Sequence, residues 1–155
     1  MKVNQKTIDI FDSDYDMIVN QTNCRGVMGA GLALQIKKKY PEIYERYLLD
    51  FRQGKLKLGY VAIYKTKDNK YIACMCAQDY YGRNQRQTDY EAFEFCYRKV
   101  LQIANSMNIR RISIPGYIGC GLAGGNWNIV SNIIKNCNNS EDVSNIESIT
   151  ICYRD

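Results

Sequence analysis

Twice in this chain an apolar strand hands over to a helix through a loop stripped of side-chain bulk. The first handover is "NQTNCRGVMGAGLALQIKKKYP", residues 20–41, and the second is "IPGYIGCGLAGGNW", residues 114–127. Glycine tolerates positive φ and lets a ligand come close to the backbone. A helix N-terminus adds unpaired N–H groups and partial positive charge. "GVMGAG" and "GCGLAGG" therefore read as two cradles for a diphosphate. Tight turning alone accounts for one such loop more readily than for two in matching positions.

The segments around these loops alternate. A strand is expected over Lys2 to Phe11 and a short, doubly buried one over Asp16 to Asn20. The first helix begins near Gly29, because Gly29, Leu32, Ala33, Ile36 and Tyr40 share one face. Lys37 to Lys39 fall in its last turn, where cations suit the dipole, and Pro41 starts the next helix, "PEIYERYLLDF". "LGYVAIYKT" and "KYIACMCA" are strands joined by the turn "KDNK". "TDYEAFEFCYRKVLQIANSM" is a helix with Thr88 and Glu91 as its capping box and Asp89 at its first position. "RISIP" is a strand, "WNIVSNIIKNC" a helix capped by Asn126, and "IESITICY" a closing strand. Alternation of this kind predicts an α/β layered domain with a mostly parallel sheet, antiparallel where the two mid-chain strands meet. Both glycine loops then open at the carboxyl ends of strands, where such sheets form ligand crevices.

Length and composition narrow the function. The 155 residues suit one domain, residues 1–155. No apolar run approaches the ~20 residues of a membrane span, and the N-terminus lacks a signal-peptide core, so a cytoplasmic monomer is expected. Seven cysteines without a CxxC pair, in a chain with no histidine, argue against zinc and for small buried hydrophobes. The net charge of +5 suits an anionic ligand, without the dense basic stripe of a nucleic-acid surface. Neither loop is a Walker motif, and neither fits the spaced dinucleotide fingerprint.

Four stretches together, "IDIF" (8–11), residues 18–41, "QTDYEAF" (87–93) and residues 114–127, resemble the macro domain family, in the single-domain Appr-1″-p processing branch. The resemblance runs from about residue 7 to the end. It implies a three-layer α/β/α domain with a mixed, mostly parallel central sheet that binds ADP-ribose. Asp9, next to Ile10, takes the place of the aspartate that accepts from the adenine amino group, with Ile8 where the family usually has glycine. Asn20 and Asn23 match the asparagine pair: Asn23 for the distal ribose or a water, Asn20 as a brace, although either amide can brace the loop. Gly26, Val27, Met28, Gly29, Ala30 and Gly31 match the first phosphate loop, and Ile118, Gly119, Cys120, Gly121 and Leu122 the second. Met28 and Leu122 are either apolar walls or core.

The resemblance also implies chemistry: loss of phosphate from ADP-ribose 1″-phosphate, or removal of ADP-ribose from a protein or nucleic-acid acceptor. One subgroup uses a mid-chain lysine with an acid from the second loop. Here "AQDYYGRNQRQ" has no lysine, and Ala123 and Asn126 stand where relatives carry acids. A water held by Asn23 or by a ligand phosphate remains, with Asp79, Asp89 or Cys120 as candidate helpers. Arg83 and Arg86 are candidates for a terminal phosphate, and Tyr80 or Tyr81 for stacking. No metal or cofactor is implied. The alternative is a non-catalytic module that reads or sequesters ADP-ribose or a related NAD-derived nucleotide.

Overall fold

The structure, a computed structural model, describes residues 1–82 and 84–154. Six strands form one sheet: β1 (Lys2–Thr7), β2 (Met17–Thr22), β3 (Val61–Lys65), β4 (Tyr71–Cys76), β5 (Arg111–Pro115) and β6 (Ser148–Tyr153). Their order is β1-β6-β5-β2-β4-β3, parallel throughout except for the β3–β4 hairpin. Four helices cover it: α1 (Gly31–Lys39), α2 (Pro41–Arg52), α3 (Tyr90–Ser106) and α4 (Trp127–Ser140).

Side chains of a strand alternate between faces, so a central strand feeds two cores at once. Met17 and Val19 of β2, with Ala73 and Met75 of β4, pack under α3 and α4 beside Phe93, Tyr97 and Val130. Ile18, Ile72 and Cys74 point the other way, toward Ile36 of α1 and Ile43 and Tyr47 of α2. The expected three-layer α/β/α sandwich follows. No helix among the described residues is long and apolar enough to cross a membrane.

One consequence of this order positions the site. β2 and β5 are hydrogen-bonded neighbours, with Met17 opposite Ile112. The helix after β2 lies on one face and the helix after β5 on the other. Chains leaving adjacent parallel strands toward opposite faces leave a crevice between them.

Local details depart from the sequence expectation. β1 stops at Thr7, and Ile10–Asp12 form a 3-10 turn capped by Asp9, whose Oδ1 accepts from Phe11 N at 3.0 Å. α1 starts at Gly31, two residues late, because Ala30 is still extended and Gly31 makes the entry turn at φ +58°. The cap of α3 is Asp89, accepting from Ala92 N at 2.9 Å, and not the Thr88–Glu91 box. Thr88 is drawn away because its hydroxyl donates to Gly119 O at 2.6 Å. Asn126 caps α4 as expected, accepting from Asn128 N at 2.9 Å. All seven cysteines are free and all but Cys120 are buried.

Candidate functional site

A cavity of about 630 Å³ opens at the carboxyl ends of β2 and β5. One wall is the start of α1, from Ala30 to Ala33. Ala30 occupies the N-cap without a side chain that can bond the first-turn amides. Those N–H groups and the dipole's positive end therefore face the cavity with no internal anion to satisfy them.

The opposite wall is the loop after β5, through Gly116, Tyr117, Ile118, Gly119, Gly121 and Leu122. Internal bonds hold it, Cys120 N to Tyr117 O at 2.8 Å and Gly125 N to Gly119 O at 2.9 Å. Gly119 has φ +73°, and a Cβ there would lie 2.7 Å from Gln21 Oε1 and 3.1 Å from Thr88 Oγ1. Here glycine serves the packing of the loop itself as well as any ligand. The mouth of α4 is closed by its own Asn126 side chain, so the two facing cradles are one helix terminus and one loop rather than two helix termini.

Asn23 is the brace of the first loop. Its Oδ1 accepts from Arg25 N at 2.9 Å, Val27 N at 3.3 Å and the Tyr47 hydroxyl at 3.0 Å, and its Nδ2 donates to Val27 O at 2.7 Å. Burial raises the Tyr47 phenol, which stays a donor. Asn20 is 2% exposed and lines the same cavity as Asn23, with no hydrogen-bond partner for its Nδ2. Bracing of the loop thus falls to the Asn23 amide, which still borders the cavity.

Asp9 and Ile10 line the far end of the cavity, and Val27, Gly29, Ala30 and Gly31 its floor and mouth. Gly26 and Met28 lie outside the lining. Gly26, at φ +75°, packs against the Phe51 ring, and Met28 is 1% exposed in the core beneath α1. Leu122, by contrast, is an exposed wall of the cavity.

The three candidate catalytic groups are not brought together. Asp89 spends its carboxylate on the α3 cap, and Asn23 spends its amide on the loop. The Cys120 thiol turns to Ile118 O at 3.3 Å, outside the lining, and burial pushes it up to about 11, so little thiolate is present. Asp79 is paired with Arg25 at 2.8 Å. No lysine, histidine or glutamate lines the cavity among the described residues; Gln78 and Ala123 do.

Residues that sequence reading missed complete the rim. Gln21, Gln78 and Arg154 line the cavity. Tyr81 also lines it, and its ring stacks on Tyr80 at 4.5 Å and 10°. The Arg25 guanidinium sits 5.4 Å from the Tyr80 ring. Arg86 lies over Tyr90 at 4.4 Å and borders a shallow groove that continues past Gly121 and Leu122. Arg83, the other candidate for a terminal phosphate, falls outside the described residues. No group of three or more His, Cys, Asp or Glu residues that could hold a metal ion occurs among the described residues.

Comparison with known proteins agrees with this architecture. The chain is 26% identical over 122 residues to a DNA ADP-ribosyl glycohydrolase of Mycobacterium tuberculosis, a match covering 77% of this chain and 34% of that protein. It thus spans about a third of the length of that relative. It is 28% identical over 105 residues to an ADP-ribose 1″-phosphate phosphatase of Meyerozyma guilliermondii, covering 57% of this chain and 60% of the relative. Its fold superposes on the macrodomain of Thermus aquaticus DarG with a TM-score of 0.81, at 21% identity and over 96% of this chain and 97% of that one. The macro domain family model matches residues 19–134, and the chain belongs to that family.

Proposed function

We propose that this protein binds ADP-ribose, free or attached to an acceptor. One observation carries the reading: a cavity of about 630 Å³ lies between an uncapped helix N-terminus and a glycine loop, with a carboxylate at one end. That volume suits a ligand of this size. The backbone amides of Gly31 to Ala33 and of the Gly119 to Leu122 loop would receive the diphosphate. Asp9 would accept from the adenine amino group, and the distal ribose would lie toward Asn20 and Gln78. The names of both curated relatives refer to ADP-ribose, which supports the ligand. On this reading residues 1–155 act as a single cytoplasmic domain and bind as a monomer.

Hydrolysis is the second reading, favoured by those same relatives, one a glycohydrolase and one a phosphatase. In this chain it requires water to attack without a lysine or histidine in the lining. The binding module therefore fits the residues better. Calorimetric titration with ADP-ribose tests the first reading, and a 1:1 saturable isotherm is expected. No heat and no shift in melting temperature would overturn it. Release of phosphate from ADP-ribose 1″-phosphate, or of ADP-ribose from modified protein or DNA, would select the enzyme.

A further inference from the structure

Among the described residues the cavity lining carries two charged side chains, Asp9 and Arg154. Both belong to the same end of it. Arg154 directly follows β6, where Tyr153 O accepts from Ile8 N at 2.9 Å on the β1 side and Cys152 O accepts from Gly116 N at 2.8 Å on the β5 side. Its backbone thus lies between the turn that carries Asp9 and the start of the second glycine loop. Even so, no ion pair joins Arg154 to Asp9 or to any other described residue.

A second cation shares this corner. Lys6 of β1 stands opposite Cys152 in the parallel register. Paired residues of neighbouring strands project to the same face of a sheet, so Lys6 is on the face where Cys152 lines the cavity. Burial raises the Cys152 thiol, and the charges of Lys6 and Asp9 both reach it, the first opposing that rise and the second adding to it. Lys6 and Arg154 are both exposed, so a ligand can meet them.

ADP-ribose leaves these two cations unanswered. Its diphosphate would lie further along the sheet, between the start of α1 and the loop after β5, where that part of the lining offers backbone and no cation among the described residues. To the β1–β6 end it would bring only neutral groups, the adenine and the two hydroxyls of the adenosine ribose. Asp9 answers the adenine amino group. A phosphate ester on the adenosine ribose would answer the rest: the guanidinium fork matches phosphate oxygens, and an ammonium adds a point charge. An arginine beside the adenosine ribose is also how dinucleotide sites of other folds admit a 2′-phosphate.

We propose that Arg154 and Lys6 form a second anion subsite, and that the cavity prefers ADP-ribose phosphorylated on its adenosine ribose to ADP-ribose itself. This rests on the ADP-ribose reading and adds the ester to it. Arg154 is the main contact, and Lys6 offsets the repulsion between the ester and Asp9.

The test is calorimetry at low ionic strength, where exposed charges are least screened. Each phosphorylated ligand is compared with its parent: 2′-phospho-ADP-ribose with ADP-ribose, and adenosine 3′,5′-bisphosphate with adenosine 5′-phosphate. A gain of at least about fivefold is expected in one pair, and that pair names the hydroxyl bearing the ester. Arg154→Met should remove most of the gain while leaving the parent within about twofold, and Lys6→Met should remove part of it. No gain in either pair overturns the proposal. So does an Arg154→Met variant that weakens parent and ester equally, because the guanidinium would then serve the nucleoside alone. A wild type that binds ADP-ribose without preferring the ester refutes the subsite alone, whereas one that binds none of the four ligands removes the ADP-ribose reading with it.

Discussion

Replacing Asn23 by alanine separates two accounts of one amide. Four hydrogen bonds run through it: three received by Oδ1 and one given by Nδ2. Tyr47 keeps a partner in Asn23 O at 2.7 Å, so its loss is small. Arg25 is exposed, and water replaces its bond. The Val27 N–H and C=O lose the same partner at once. Two to three bonds at about 1 kcal/mol each give a destabilisation of ~2–3 kcal/mol. For a chain of this size that lowers the melting temperature by roughly 5–10 °C. The loop it braces carries Val27, Gly29 and Ala30 into the cavity, so ADP and ADP-ribose should weaken together. A thermal melt and paired titrations with both nucleotides read this directly. A normal melt with loss of ADP-ribose binding alone would refute the reasoning and put the Asn23 amide on the distal ribose.

Other substitutions probe the remaining parts. Gly119→Ala forces a side chain onto φ +73° and into Gln21 Oε1, so a cost of ~1–3 kcal/mol and loss of ADP-ribose binding are expected, and retained binding would contradict the loop's role. Asp9→Ala should weaken ADP-ribose by ~1–3 kcal/mol through the orphaned adenine amino group, and an unchanged affinity in calorimetry would remove the assignment. Far from the cavity, burial raises the Asp16 carboxyl, but the Arg111 hydrogen bonds and charge outweigh it and hold Asp16 below the usual carboxylate range. The depressed folded value means that this stability is present above the unfolded pKa, near ~4, and is lost as pH falls through the folded one. Asp16→Asn should flatten the acid limb of melting temperature against pH, and a limb as steep as wild type would show the pair to be idle.

How much of this was legible in the residues depends on the range of the contacts. Strand alternation and helical faces are local, and β2, the β3–β4 hairpin, α3 and α4 follow from them. The strand–loop–helix handovers placed Gly31 and Gly119 at the cavity because their positions rest on element order. The cap of α3 was misread because Thr88 answers to Gly119, 31 residues away, rather than to its own helix. The bracing contacts of Asn23 were hidden for a similar reason. Tyr47, 24 residues on, donates to its amide oxygen, whereas Asn20 Nδ2 has no hydrogen-bond partner. Gln21, Gln78 and Thr88 are unremarkable singly, and contacts 57 and 67 residues apart in the chain make them one network. The one available signal was a long amide, Gln21, near the end of a strand whose other residues are buried on both faces.

The same inventory bears on catalysis through pH. Histidine is the side chain whose ordinary pKa lies between about 5 and 8, and this chain has none. Burial lifts both Cys152, in the lining, and Cys120, just outside it. Among the described residues the one carboxylate in the lining, on Asp9, follows β1 at the sheet edge, with β6 between that strand and β5. It stands at the adenine end of the proposed ligand, away from the distal sugar. A general base that deprotonates across neutral pH would give a bell or a slope in kcat. A bound water activated by position, or by the ligand's own phosphate, would not draw on a protein group titrating there. Any turnover of ADP-ribose 1″-phosphate by this protein should therefore be nearly independent of pH between about 6.5 and 8, since both phosphate ionisations are then largely complete. A kcat that rises or falls tenfold across that interval would mean that a protein group outside this inventory performs the proton transfer.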